Sequence, residues 1–125
     1  MTAAFPRALA PLALMALIFY LSAQPAVAPE LPGWTRVLAH FIQFALLAAA
    51  WAWTLAPLLG GRALVVAAAL SLAYAVSDEY HQSFVEGRDS DPLDVLVDGA
   101  GIAFALSLVA ARSRRTGRHA LGPPA

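Results

Sequence analysis

The stretch VLAHFIQFALLAAAWAWTLAPLL, residues 37–59, is a long apolar run, broken only by His40 and Gln43 near its start and by Pro57 near its end. An α-helix crosses the hydrocarbon core of a bilayer in about 20 residues. The run therefore predicts a membrane-spanning helix, and the segments on either side are interpreted around it.

Three further segments have the same apolar character. In the segment that begins at Ala63, the helical pattern continues beyond the apolar part, through Asp78 to about Phe84. The chain is 60% hydrophobic and only 13% charged, which is too apolar for an ordinary soluble surface. We predict an all-α, polytopic membrane protein, with one bundle of four transmembrane helices in residues 1–112. The helices are expected at about residues 8–23, 37–59, 63–84 and 92–111. Residues 113–125 are basic and then rich in Gly and Pro, and are expected to form a disordered cytoplasmic tail.

The first predicted helix has an alternative interpretation as a secretory signal peptide. Arg7, the apolar stretch and the small-residue triplet Ala26-Val27-Ala28 imitate a signal sequence with its cleavage site. Pro29 directly after the triplet argues against cleavage, and we expect residues 1–28 to be retained.

The arginines indicate how the helices are oriented in the cell membrane. With four crossings, both termini and the second loop face the same side, and that side carries Arg7, Arg62, Arg112, Arg114, Arg115 and Arg118. Arginine-rich loops stay in the cytoplasm. We therefore predict a multi-pass protein of the inner or plasma membrane with both termini cytoplasmic. The acidic residues lie outside, together with Arg36 and Arg88.

Composition also limits the chemistry and the partners of this protein. The chain has no cysteine, so a disulfide framework, a thiol nucleophile and a thiolate metal site are excluded. The sequence requires no cofactor, and a divalent metal stays an open alternative. The signal for a metal is weak, because the zinc pattern of two His separated by three residues on one helix is absent. The basic tail is expected to meet anionic lipid of the bilayer and not nucleic acid. A homo-oligomer is also an open alternative. The last segment has small residues that support helix packing at every second position, at Gly99, Gly101, Ala103 and Ala105.

The segment SDEYHQSFVEGR, residues 77–88, is the densest polar stretch of the chain. On a helix, Asp78, His81 and Gln82 share one face, whereas Glu79 points away from it. One interpretation is a solvated helix end with an Asp–His pair. The other is a functional site, which requires residues from other helices to converge on it.

Two other helices carry polar residues at the same membrane edge. His40 and Gln43 lie one turn apart, and an imidazole in an apolar helix needs a hydrogen-bond partner. Taken alone, His40 is more readily explained as a packing residue than as a catalytic one.

The last helix carries Asp94 and Asp98 on one face. Asp94 has a structural explanation as a first-turn acid behind Asp91-Pro92. Asp98 lies a turn deeper, where a carboxylate is costly unless it finds an interior partner. We predict that Arg88 pairs with Asp98 or Asp94, with His40 and His81 close by.

Three kinds of chemistry are open for such a cluster: binding of a metal, acid–base catalysis, and binding of a polar headgroup. The candidate catalytic residues are His40, Asp78, Glu79, His81 and Asp98. The candidate binding residues are Gln43, Gln82, Arg88 and Asp94.

Nearly the whole chain resembles the VanZ-like membrane proteins, a family named for an accessory protein associated with teicoplanin resistance. The resemblance is carried by FYLSAQP at residues 19–25, by residues 36–44, by DEYHQ at residues 78–82, and by Gly87-Arg88, Asp94-Val95, Asp98 and Gly101. The family typically has a Lys three residues before the His, where this chain has Val37, so that any role of the lysine is either lost or taken by Arg36.

The resemblance implies four membrane helices in the cell envelope and a link to glycopeptide tolerance, without an established activity. Two functions stay open. One is a protein whose external pocket binds a headgroup, a peptidoglycan precursor or a partner helix. The other is a membrane-embedded hydrolase or transferase for lipid-linked substrates, with His40 or His81 as the base. A small transporter is a weaker third alternative.

Overall fold

The computed structural model describes residues 4–25, 31–120 and 122, and within them every regular element is a helix. The elements are α1 (Ala4–Arg7), α2 (Leu9–Ser22), α3 (Gly33–Leu59), a single 3₁₀ turn (Gly60–Arg62), α4 (Ala63–Gln82) and α5 (Leu93–Ala120). The predicted all-α fold is therefore confirmed. The triplet Ala26-Val27-Ala28, on which the signal-peptide alternative rests, lies outside the described residues.

Three helical segments are long and apolar enough to cross a membrane: Ala4–Ser22, Gly33–Gln82 and Leu93–Gly117. The second segment is 50 residues long and contains α3, the 3₁₀ turn and α4. Gly60 begins that turn with a φ of +56°, a backbone conformation in which glycine has no steric penalty. The turn lets α4 fold back onto α3, and Phe44 of α3 and Tyr74 of α4 lie with their ring centroids 6.4 Å apart.

Helix α3 is the central helix of the bundle and packs against every other helix. Its residues Phe44, Leu47 and Ala48 are completely buried. They meet one apolar side chain from each of the other long helices, namely Ile18, Ala75 and Ile102. Many large apolar side chains on the outer faces of the helices stay exposed, which suits a surface surrounded by lipid.

Helices α3 and α5 approach each other closely at Gly101. A Cβ atom at this position would lie 2.3 Å from the backbone oxygen of Phe41. Only glycine allows this approach, because any side chain would collide with the α3 backbone. Gly101 and Ala105 are thus buried inside the chain's own bundle. Of the small residues considered for oligomer packing, Gly99 and Ala103 are the two that are not buried there.

The helix bounds differ from the prediction at several ends. Helix α3 begins at Gly33, directly after Pro32, and α4 ends at Gln82, two residues earlier than expected. Helix α5 begins at Leu93 and continues to Ala120, so the first part of the predicted disordered tail is helical. Its arginines and alanines are good helix formers, and no proline interrupts the helix before Ala120.

Arginines are concentrated at one end of the bundle. Arg7 donates to the backbone oxygen of Trp53 at 3.3 Å, and its guanidinium lies 4.9 Å from the centroid of the Trp53 ring. Thr54 donates in turn to the backbone oxygen of Arg7. These contacts join α1 to the carboxyl-terminal part of α3, next to the turn that contains Arg62. The opposite end contains the candidate site.

Candidate functional site

Arg36 and Asp94 form an ion pair between the first turns of α3 and α5. Arg36 Nη2 donates to Asp94 Oδ2 at 2.5 Å and to the backbone oxygen of Asp89 at 2.9 Å. The Asp94 side chain is 9% exposed and the Arg36 side chain 40%. The pair therefore joins two helices and fixes a guanidinium at the edge of the bundle.

His40 and Asp98 form a second pair, one turn deeper. His40 Nδ1 lies 3.0 Å from Asp98 Oδ1, and the two side chains are only 5% and 1% exposed. An ionised carboxylate only accepts hydrogen bonds, so with Asp98 ionised we assign the proton of this contact to Nδ1. The other ring nitrogen, Nε2, lies 3.9 Å from Asp94 Oδ2, beyond hydrogen-bonding distance. The imidazole is held in one orientation.

The two pairs follow from the helical repeat. Arg36 and His40 are four residues apart on α3, and Asp94 and Asp98 are four residues apart on α5, so each helix presents both of its groups on one face. The partners are 58 residues apart in both pairs, which is the register of two helices that run in the same direction. The expected interior partner of Asp98 therefore exists, and it is His40.

Asp78 belongs to a buried group that joins α2 to α4. Ser22 Oγ donates to Asp78 Oδ1, and Gln82 Nε2 donates to Asp78 Oδ2 at 3.1 Å and to Ser22 Oγ at 3.2 Å. All three side chains are buried. Asp78 and Gln82 share a helix face as predicted, and neutral donors contact this carboxylate.

The predicted pairing of Arg88 with Asp98 or Asp94 is wrong. Gly87 has a φ of +78° and lies beside Pro25, so the loop turns toward α2. Arg88 Nη1 then donates to the backbone oxygens of Leu21 and Gln24, at 3.1 and 3.4 Å. Carbonyls at a helix carboxyl terminus have no partner within the helix and attract a cation. The acids of α5 are already paired with Arg36 and His40.

His81 and Glu79 also have surroundings that differ from the shared site expected for them. The His81 ring stacks on Phe19 of α2, with centroids 4.4 Å apart, and makes no hydrogen bond to Asp78 within the described residues. Glu79 Oε1 accepts hydrogen bonds from Ser90 Oγ, at 2.9 Å, and from the backbone N–H of Asp91. Glu79 therefore holds the loop between α4 and α5, because its carboxylate satisfies donors of the loop just before α5.

A cavity of about 460 Å³ opens at this end of the bundle, between the end of α2, the start of α3 and the loop around Gly87. Its polar lining consists of Ser22, Thr35, Arg36, His40, Gln43, Arg88 and Asp89. Its apolar lining consists of Leu21, Leu31, Pro32 and Ala39. The volume lies in the range typical of sites for small ligands.

Most of the titratable side chains that line the cavity are hydrogen-bond donors. Asp78, Asp94 and Asp98 do not line it and lie behind the residues to which they are bonded. Among the described residues, Asp89 is the one carboxylate in the lining, and it is exposed. The buried acids thus hold the donors in place, while the cavity itself presents two guanidinium groups and an imidazole.

Of the predicted site residues, His40, Gln43 and Arg88 line the cavity, and Asp78, Asp94, Asp98 and Gln82 lie behind it. Four polar residues of the cavity lining are not among the candidates: Ser22, Thr35, Arg36 and Asp89. The family resemblance offers Arg36 at this site only as a substitute for a missing lysine, although its spacing of four residues from His40 places both on one face. Ser22 appeared only within a family-like stretch, since a single hydroxyl at a helix end carries no signal of its own.

The described residues contain no group of three or more His, Asp or Glu side chains arranged to hold a metal ion. The acids are distributed over separate contacts, with Arg36, His40, Ser22 and the Ser90 loop.

These features define a class of protein: a helical bundle with membrane-spanning character and a donor-lined polar cavity at one end. Residues 8–112 match the model of the VanZ/LLP1 family, and the chain belongs to that family. Comparisons with curated proteins and with solved structures gave no match.

Proposed function

We propose that this protein crosses the cell membrane four times and binds the anionic headgroup of a lipid or lipid-linked precursor in the cavity at its external face. The observation that carries the proposal is the pair of guanidinium groups, of Arg36 and Arg88, on the wall of one cavity whose remaining lining is partly apolar.

The four crossings correspond to α2, α3, α4 and α5. Helices α3 and α4 have 27 and 20 residues, and each is long enough to cross the hydrocarbon core alone. The positive residues at the opposite end of the bundle support cytoplasmic termini and an external cavity.

An oxygen-rich anion fits the cavity better than a cation does. Guanidinium groups donate strong, charge-assisted hydrogen bonds to phosphate. The first turn of α3 lies in the wall at Gly33 and Thr35, and it adds the positive end of the helix dipole. The apolar wall at Leu21 and Leu31 suits the lipid chain attached to such a headgroup.

On the family resemblance, we extend the proposal to a contribution to teicoplanin tolerance. Glycopeptide antibiotics act on the external face of the membrane, where this cavity would capture a lipid-linked precursor.

The test is binding of a short-chain phosphonate analogue of phosphatidic acid to the purified full chain in detergent, measured by calorimetry. Arg88→Gln should weaken binding about 10-fold or more, because a hydrogen bond to a charged group contributes about 1.5–3 kcal/mol. Glu86→Gln, an exposed change in the same loop, is the matched control and should leave the affinity unchanged. Equal affinity in Arg88→Gln, or equal binding of diacylglycerol, which has no phosphate, would refute the proposal.

A further inference from the structure

We propose that His40 is a catalytic base in this cavity and that the protein hydrolyses a phosphate monoester of a membrane lipid. This inference rests on the proposed function, since it requires the phosphate to bind beside Arg36 and Arg88.

The first observation is the orientation of the His40 ring. Nδ1 is bound to Asp98, so Nε2 is the nitrogen that carries the free lone pair. His40 lines the cavity, and its Nε2 makes no hydrogen bond within the described residues. Nε2 is therefore the ring nitrogen that is left to accept a proton.

The second observation is the role of Asp98. Its side chain is 1% exposed and its Oδ1 holds the Nδ1 proton of His40. In this arrangement a carboxylate fixes the tautomer and stabilises the imidazolium that forms when Nε2 takes a proton. Asp98 is thus a positioning residue, and His40 is the group that touches the reacting atoms.

The third observation is the charge near His40. Arg36 lines the cavity one helical turn before His40, and Arg88 lines it from the loop. Two guanidinium groups match a terminal phosphoryl group, which carries more negative charge than a diester, and they stabilise charge that develops on its oxygens. Asp94, the carboxylate nearest to Nε2, is paired with Arg36.

The reaction needs only water as a co-reactant. The oxygen of a water molecule forms a bond to phosphorus while one of its protons passes to His40 Nε2. The bond between phosphorus and the lipid alkoxyl oxygen breaks, and its electron pair leaves with that oxygen. The departing alkoxide then takes the proton from His40. The products are a lipid alcohol and inorganic phosphate.

The test uses the full chain in mixed micelles with dioctanoyl phosphatidic acid as the probe, in water enriched in ¹⁸O. We expect release of inorganic phosphate that contains one ¹⁸O atom, together with diacylglycerol. Glycerol 3-phosphate, a soluble monoester, should be hydrolysed far more slowly, because it lacks the lipid chain. Equal rates for the two esters would overturn the lipid specificity.

His40→Gln should lower the rate by about 10²-fold or more, the range of general acid–base catalysis. Its amide can still donate to Asp98, and binding of the phosphonate analogue should stay within about threefold. Asp98→Asn should lower kcat with little change in KM, and Asp98→Glu should restore part of the rate. Glu86→Gln should keep the full rate.

The two proposals fail differently. Binding of the phosphonate without any phosphate release by the unmodified protein would refute catalysis and leave the binding function intact, whereas absence of binding would refute both. An active His40→Gln protein would exclude His40 as the base. Loss of helical circular dichroism would mean that the His40→Gln protein does not fold. The test then rests on the rate of Asp98→Asn and on the ¹⁸O content of the phosphate released by the unmodified protein.

Discussion

At the scale of single residues, the position of each charge depends on its partner. Asp98 pairs with His40 and Asp94 pairs with Arg36, so neither acid of α5 is left alone inside the bundle. A carboxylate buried without a partner would be expensive in this environment. Arg88 is left for the carbonyls at the end of α2, where its Nη1 is bound, and the residue also lines the cavity.

The Arg36–Asp94 pair allows a direct measurement of coupling. We expect Arg36→Gln and Asp94→Asn each to destabilise the protein, and the double change to cost less than their sum by about 0.5–3 kcal/mol, as for residues in contact. The free energy of unfolding in mixed micelles of increasing sodium dodecyl sulfate measures this. The pair Arg88→Gln and Asp94→Asn should be additive, because these two side chains make no hydrogen bond to each other. Strict additivity of Arg36 and Asp94 would contradict the ion pair.

At the scale of the helices, the approach of α3 and α5 sets the geometry of the site. These helices carry both ion pairs, and Gly101 lies one turn below Asp98 against the backbone of Phe41. A change in their separation would therefore also change the distance between His40 and Asp98.

Gly101→Ala should destabilise the bundle by about 1–3 kcal/mol, the usual cost of forcing extra atoms into a packed interface. Gly99→Ala is the matched control on the same helix, because a Cβ there meets nothing within 4 Å. It should be neutral or stabilise by up to about 1 kcal/mol, through higher helix propensity. Thermal unfolding of the two variants in detergent gives the comparison, and equal melting temperatures would show that α3 and α5 do not touch at Gly101.

At the scale of the whole molecule, charge separates the two ends of the bundle. The arginines near Arg62 lie at one end, whereas the cavity and the acids of the described residues lie at the other. The chain contains no cysteine, so single cysteines can report which side of the membrane each end faces.

We expect Glu86→Cys to react with a membrane-impermeant maleimide in intact cells, and Arg115→Cys to react only after the membrane is permeabilised. The reason is the bias of arginine toward cytoplasmic loops. Both positions are exposed, so accessibility within the protein does not limit the reaction. Labelling of Arg115→Cys in intact cells would reverse the predicted orientation and move the cavity to the cytoplasmic face.

The sequence by itself determined the helical class, the approximate positions of the helices and the identity of most polar residues at the site. These depend on hydropathy and on the helical repeat, which are local properties of the chain. His40 and Gln43 fall on one wall of the cavity, and Asp94 and Asp98 fall on one face of α5, as their spacing predicts.

Only the tertiary structure decided which charges meet. The choice between Arg36, His40 and Arg88 as partners of the α5 acids depends on the register of α3 against α5, which the close contact at Gly101 fixes. It also depends on the direction of the loop after Gly87. Both are properties of packing between distant segments, and residue spacing within one helix carries no information about them. For the same reason Ser22, which lies 56 residues from Asp78, could be recognised as its partner only once α2 and α4 were in contact.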